Sequence, residues 1–390
     1  MNTIYRIYII HEARNQWASN LEQAIRTELS NLGIEVKVEF LYGDLSGTTE
    51  VVCPSVAVYL GSIPGSRSDR CINSIKAALN LGILIMPVVE SENVFRQHVP
   101  QELYPINAFI WSGISAAEKL ARENILPELG LTEKERKVFI SYRRSDGLGM
   151  ADQLFDILSR RGFTVFMDLY DIESGRDVQR EITEYLEDIA FILVIESPKA
   201  HHSKWIYKEV NYALKHHMGV LIVRWPSATQ IPNTEDLPRR NLTNNELIRD
   251  VKYQRISGPV LSKLINEIEF WHADGLLRRR RYLLESIEKE ARLHYSTCLN
   301  VGNWTLLLCN GANQKENTVI GITPRLPNAY DLYYLDNPSL QLNNISHTRK
   351  LLVHLTEYIP QERSNLLEWV IDNRLMKMIP LEHFIGGGIL

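Results

Sequence analysis

Four apolar runs of strand length follow one another between Lys137 and Trp225, separated by polar turns and helix-like patterns. The stretch reads KVFISYRRSD, then GFTVFMDLYDIESG, then IAFILVIESPKAHHSKWIYKEVNYA, then GVLIVRW. Continuous apolar runs this short suit strands covered on both faces, and their alternation with helical patterns predicts a parallel sheet of βαβ units. Sheets of that kind bind ligands beyond the carboxyl ends of their strands. Ser141, Asp168 and the segment from Ser197 onward occupy those ends.

Three pieces set in this frame carry a further signal. They are Phe139-Ile140-Ser141-Tyr142 closing the first strand, Asp168 with Asp171 to Gly175 around the second, and Ser203-x-Trp205-x-x-x-Glu209 opening the following helix. In this order and register the segment resembles a bacterial Toll/interleukin-1 receptor (TIR) domain. The resemblance implies a flavodoxin-like parallel sheet over residues 131–272. It also implies cleavage of the bond between nicotinamide and ribose in NAD+, with NAD+ as substrate and with no cofactor or metal.

That reaction passes through an oxocarbenium-like transition state, as glycoside hydrolysis does. A carboxylate beside the ribose stabilises the developing charge, and nicotinamide leaves from an already cationic form, so one acid residue suffices. Glu209 is similar in position to the catalytic glutamate of TIR hydrolases. The bland alternative is a solvated helix carboxylate paired with Lys204 or Lys208. Trp205, four residues earlier on the same helix face, is expected either to wall the nicotinamide pocket by stacking or to pack in the core. Ser203 belongs to the same helix-opening motif. Ser141, Tyr142, Arg143 and Arg144 follow the first strand and are expected to hold the pyrophosphate, where a guanidinium can bind bidentately; of the two arginines Arg143 is favoured as nearer the strand end. Asp168 either faces the cleft or caps the loop after it, and Asp171 to Gly175 resembles the loop that TIR domains use for gating and assembly.

Composition sets outer limits. With 390 residues, 45% of them hydrophobic, the chain is long enough for two or three domains with cores of their own. A formal charge of -4 gives no electrostatic case for nucleic-acid binding by the whole chain. The run Arg278 to Arg281 invites one, but Glu285, Glu288 and Glu290 follow at helical spacings and are expected to pair with it. Cys53, Cys71, Cys298 and Cys309 lack metal-ligand spacing, and the longest apolar runs are strand-sized. A cytoplasmic protein with reduced thiols and no membrane span is expected.

An internal duplication is also visible. Ser55 to Val89 follows the plan of Asp188 to Trp225, and RIYIIHEARNQW near the N-terminus parallels KVFISYRRSD. Residues 1–130 are therefore expected to form a degenerate TIR-like or flavodoxin-like α/β domain. Aligning Ala78 with Ala213 sets Ser74 opposite Glu209 and Arg70 opposite Trp205, so the first copy lacks the carboxylate. Downstream, Glu246 to Trp271 reads as the closing helix of the central domain. Residues 273–390 read as a small α+β domain, with WTLLLC and NTVIGIT as strands and KLLVHLTEYIPQERSNLLEWVIDNRL as helix. GGGIL reads as a flexible tail.

The expected protein is a TIR-type NAD+ hydrolase of bacterial immune defence against phage. Its product is ADP-ribose or a cyclic or conjugated form, and activation comes by self-association through TIR domains in response to a nucleotide or phage-derived trigger. Two readings compete with it: a non-catalytic TIR adaptor, and a nucleotide sensor in residues 1–130 coupled to a TIR output domain. A nucleoside-processing transferase of similar architecture is a third, but Trp205 and Asp171 to Gly175 have no required place in that chemistry.

Overall fold

A computed structural model describes residues 4–43, 45, 53–104, 106, 108–132, 135–167, 185–249, 254–295, 297–300, 306–310, 317–336, 348–356, 359–372 and 376–386. By its contacts the chain divides into two units, one built on residues 32–37 and 130–279, the other on 4–31, 38–129 and 280–390.

The N-terminal sheet has β1 (Ile4–His11), β2 (Lys37–Tyr42), β3 (Ser55–Leu60), β4 (Leu84–Val89) and β5 (Phe109–Ile110) in the order β2-β1-β3-β4-β5. The pairs β1–β3, β3–β4 and β4–β5 are parallel. Every residue of β3 is buried, as its SVAVYL sequence requires of a central strand. Helices α1 (Asn15–Asn31) and α2 (Asp69–Asn80) complete the pattern.

The sheet at the centre of the chain comprises β6 (Lys137–Ser141), β7 (Thr164–Phe166), β8 (Phe191–Glu196), β9 (Gly219–Arg224) and β10 (Arg239–Asn241), with α3 (Arg144–Arg160) and α4 (Lys204–Lys215) between strands. Its order is β10-β9-β8-β6-β7, and all its pairs are parallel. Numbered from each sheet's own first strand, the two orders are identical. The register matches as well. Val56 pairs with Leu84 and Phe191 with Gly219, an offset of 135 on both strands (191 − 56 and 219 − 84). The helices keep it: α2 buries Cys71, Ser74, Ile75 and Ala78, and α4 buries Ile206, Glu209, Val210 and Ala213.

Two apolar clusters cover the two faces of the central sheet. One gathers Val138, Ile140, Leu154, Leu193 and Ile265, the other Phe139, Ile192, Ile206, Val210 and Ile222. The stretch after Glu246 differs from the expected helix. It first forms a short antiparallel hairpin of β11 (Leu247–Arg249) and β12 (Gln254–Ile256), and only then the long helix α5 (Gly258–His294). Helix α5 crosses β9 with glycine on both sides: a β-carbon on Gly275 would lie 2.5 Å from the Cα of Gly219. The arginine run is only in part a screened surface patch: Arg278 is exposed and pairs with Asp274 at 2.8 Å, whereas its two neighbours are buried. Arg279 is buried and donates to the Ile189 carbonyl at 2.8 Å, burial pushing its guanidinium down to about 10. Arg280 is buried and donates to the Glu128 carbonyl at 3.3 Å, whereas Glu288 and Glu290 pair with Arg292 and His294. Charge spacing reveals which residues can pair but not which face of α5 is covered.

The C-terminal sheet is mixed. Strands β13 (Thr297–Asn300), β14 (Leu306–Asn310) and β15 (Asn317–Thr323) are antiparallel neighbours, and β15, β16 (Thr348–His354) and β17 (Met376–Pro380) run parallel. Helices α6 (Ala329–Asp336) and α7 (Gln361–Ile371) pack on one face. KLLVH is therefore strand and not helix, because a short unbroken apolar run buried on both faces has no period to distinguish the two. Burial pushes the imidazole of His354, whose Nδ1 lies 2.6 Å from the Thr356 hydroxyl, down to about 4 from its ordinary 6.5. Between those values the unfolded chain binds the extra proton, so stability falls as pH falls. Acidification from about pH 7 to about pH 5 is expected to cost about 2 kcal/mol, and His354→Gln flattens that dependence. Urea unfolding of both proteins at the two pH values measures it.

No helix among the described residues is long and apolar enough to cross a membrane.

Candidate active site

Helix α4 builds one wall of the site. Ser203 caps it, its hydroxyl accepting the Ile206 amide at 3.4 Å, which satisfies one of the otherwise orphaned first-turn donors. Helical spacing then puts Ile206, Glu209, Val210 and Ala213 on the buried face. Glu209 is a carboxylate in a stripe that packing alone would fill with an apolar residue, and it is only 8% exposed. A group buried at that cost needs a donor. Ser141, buried at the carboxyl end of β6, supplies one, its hydroxyl donating to Glu209 Oε2 at 2.5 Å across 68 residues of sequence. Hydroxyl-to-carboxylate bonds of this length are among the stronger hydrogen bonds in proteins.

A cavity of about 680 Å³ opens over this pair, a size that suits a small-molecule ligand. Phe139 to Ser145 line one side; His202 to Trp205 and Glu209 line the other. Glu209 is the one carboxylate among these residues, and Arg143, Arg144, His202 and Lys204 give the rim a basic character. The arrangement suits an anionic ligand that presents a cationic or electron-poor centre to the carboxylate.

Five of the remaining expectations can be placed. Ser203 and Trp205 line the cavity with Glu209, and so do Ser141, Tyr142 and Arg143. Trp205 is not core: it is 47% exposed, with the Lys208 ammonium 5.1 Å from its ring centroid. Tyr142 lines the cavity but also belongs to the apolar cluster around Met150 and Ile195. Arg143 reaches sideways, its Nη1 donating to the Lys199 carbonyl at 2.5 Å and its Nε to Ser145 Oγ at 2.9 Å. Asp168 and the loop Asp171 to Gly175 lie outside the described residues. No group of His, Cys, Asp and Glu among the described residues could hold a metal ion.

One acid at the sheet edge was not singled out by sequence. Glu196, fully buried at the end of β8, accepts the Ile231 amide at 2.7 Å and pairs with Arg239 at 3.3 Å and Arg224 at 3.4 Å. It ties together the carboxyl edges of β8 and β9 and the start of β10. Its only signal in the sequence is a charge closing the apolar run FILVIE.

Residues 138–255 match the family profile described as the TIR domain, so the chain carries a TIR domain. Among curated proteins it is similar to NAD(+) hydrolase SARM1 of Danio rerio, 29% identical over 163 residues, a match covering 38% of this chain and 23% of that protein. It is also similar to NAD(+) hydrolase sarm1 of Drosophila melanogaster, 28% identical over 124 residues, covering 28% of this chain and 9% of that protein. The matches thus span less than a quarter of the length of either relative. Among solved structures, the TIR domains of the activated Roq1 resistosome recognising the effector XopQ align at 25% identity with a TM-score of 0.22, covering 23% of this chain and 58% of that one.

Proposed function

We propose that the TIR domain of this chain cleaves NAD+ at the bond between nicotinamide and ribose, with Glu209 as the catalytic carboxylate. The observation that carries the reading is the buried Ser141–Glu209 bond at the base of a basic-rimmed cavity. The bond from the anomeric carbon to the ring nitrogen breaks, its electron pair stays with nicotinamide, and Glu209 stabilises the positive charge left on the ribose. Water or an internal nucleophile then bonds to that carbon and releases a proton, giving ADP-ribose or a cyclic or conjugated product. Trp205 stacks on the nicotinamide, and Arg144 and Lys204 face the pyrophosphate. The relatives named as NAD(+) hydrolases support this reading.

The same reading extends to a setting: a cytoplasmic defence enzyme, activated by self-association, acting against phage. In it residues 1–130 are a second, non-catalytic copy of the TIR plan that assembles or senses, and residues 273–390 are a third domain. The offset of 135 supports a shared origin. Tyr59 pairs with Ile10 and Val194 with Ser141, so Ile10 stands where the serine stands, and Ser74 stands where Glu209 stands. Across that first copy's edge Arg70 pairs with Glu12 at 3.0 Å, and Glu12 also accepts from Ser68 at 3.1 Å.

The test is nicotinamide release by purified full-length protein over a wide concentration range, with products resolved by mass. A rate rising more steeply than protein concentration supports an assembly-activated hydrolase. Absence of turnover at every concentration, with NAD+ neither bound nor consumed, favours the adaptor.

A further inference from the structure

The two walls of the cavity are joined at two levels. At the base the Ser141 hydroxyl meets the Glu209 carboxylate. At the rim a single residue of the loop between β8 and α4 is gripped from both sides by the first turn of α3. The Lys199 amide donates to Asp146 Oδ2 at 2.8 Å, and the Lys199 carbonyl accepts from Arg143 Nη1 at 2.5 Å. The grip is internally closed: Arg143 Nε donates to Ser145 Oγ at 2.9 Å, Ser145 donates to the other Asp146 oxygen at 3.3 Å, and the guanidinium lies 4.0 Å from that oxygen.

Both bonds to Lys199 are charge-assisted, the class that holds geometry best. From Lys199 the chain makes one short turn, Ala200–His202, and enters the Ser203 cap of α4. No long or free segment separates the gripped residue from Trp205 and Glu209. The position of Lys199 therefore sets the distance between the Tyr142–Ser145 wall and the His202–Trp205 wall.

Resting on the NAD+-cleaving reading of this site, we infer that Asp146 is a positioning residue that governs how tightly the cavity holds the dinucleotide. It touches no reacting atom. Loss of its carboxylate frees the Lys199 amide and halves the grip, so the rim opens while the Ser141–Glu209 base stays in place. The affected quantity is then ground-state binding, read as KM, and not the chemical step, read as kcat. An asparagine at this position keeps an oxygen to accept the Lys199 amide, which separates the role of the acceptor from that of the charge.

The experiment pairs two readouts on the full chain. Amide hydrogen exchange at Lys199 is expected to be slow in the wild type and in Asp146→Asn and fast in Asp146→Ala. KM for NAD+ is expected to rise about tenfold in Asp146→Ala, with kcat within about twofold, and to return toward the wild-type value in Asp146→Asn. Unchanged KM, or a fall in kcat alone, overturns the assignment. NAD+ affinity measured in a Glu209→Gln background, with and without Asp146→Ala, keeps the two ideas apart. If NAD+ binds neither protein, the NAD+-cleaving reading fails and the assignment of Asp146 fails with it. If it binds both equally, only the role of Asp146 fails.

Discussion

Glu209→Gln is expected to lower nicotinamide release by about a thousandfold or more while leaving the protein folded. Glutamine has the same size and reach, and its oxygen can still accept from Ser141. What it lacks is the negative charge that stabilises the cationic ribose. Its effect on the fold should be small and of either sign, because neutralising a buried carboxylate removes a desolvation cost along with a strong hydrogen bond. Initial rates and a thermal unfolding curve on the same preparation measure both quantities. A Glu209→Gln protein that cleaves NAD+ at the wild-type rate would move catalysis to another residue. A variant that supports signalling normally without any turnover would favour the adaptor.

The second large effect concerns stability. Arg136 and Glu269 are 0% and 2% exposed and form a bidentate pair at 3.0 and 2.6 Å. The guanidinium also donates to the Arg161 carbonyl at 2.9 Å and lies 3.9 Å from the Phe163 ring centroid. This pair fastens helix α5 to the entry of β6. Glu269→Ala leaves a buried cation without its carboxylate and is expected to cost about 3–5 kcal/mol. Replacing both partners by apolar residues, as in Arg136→Met with Glu269→Leu, should recover much of that loss, since neither charge is then left buried alone. Urea unfolding of the wild type and the two variants tests the coupling, and a Glu269→Ala protein as stable as the wild type would contradict it.

The central sheet was legible because its strands are short apolar runs with polar turns between them, a pattern that admits few other folds. Glu209 and Trp205 were legible as a spaced pair on one helix. The bond from Ser141 to Glu209 was not, because it joins positions 68 residues apart whose meeting depends on how α4 packs beside β6. Arg143 shows the same limit: its place at a strand end is plain in the sequence, but the Lys199 carbonyl that takes its guanidinium is not. Glu196 was hidden by its neighbours, since five apolar residues precede it and its arginine partners lie on other strands. Periodicity misled where a period was missing, at KLLVH, and where charge stood in for exposure, at Arg279 and Arg280.

The unbroken offset between β3–α2–β4 and β8–α4–β9 also pairs one outline with two sets of contents. Where the central sheet and its helix carry the Ser141 hydroxyl, the Trp205 indole and the Glu209 carboxylate, the N-terminal ones carry Ile10, Arg70 and Ser74, yet from β3 to β4 the spacing equals that from β8 to β9 residue for residue. Surface loops gain and lose residues at little thermodynamic cost, so unconstrained divergence leaves gaps there first. Such a gap is present between β1 and β3, where Ile10 to Tyr59 spans 49 residues and Ser141 to Val194 spans 53 (59 − 10 and 194 − 141), and absent from β3 to β4. What the two units share over that stretch is an outline, filled with different side chains at the positions that line the central cavity.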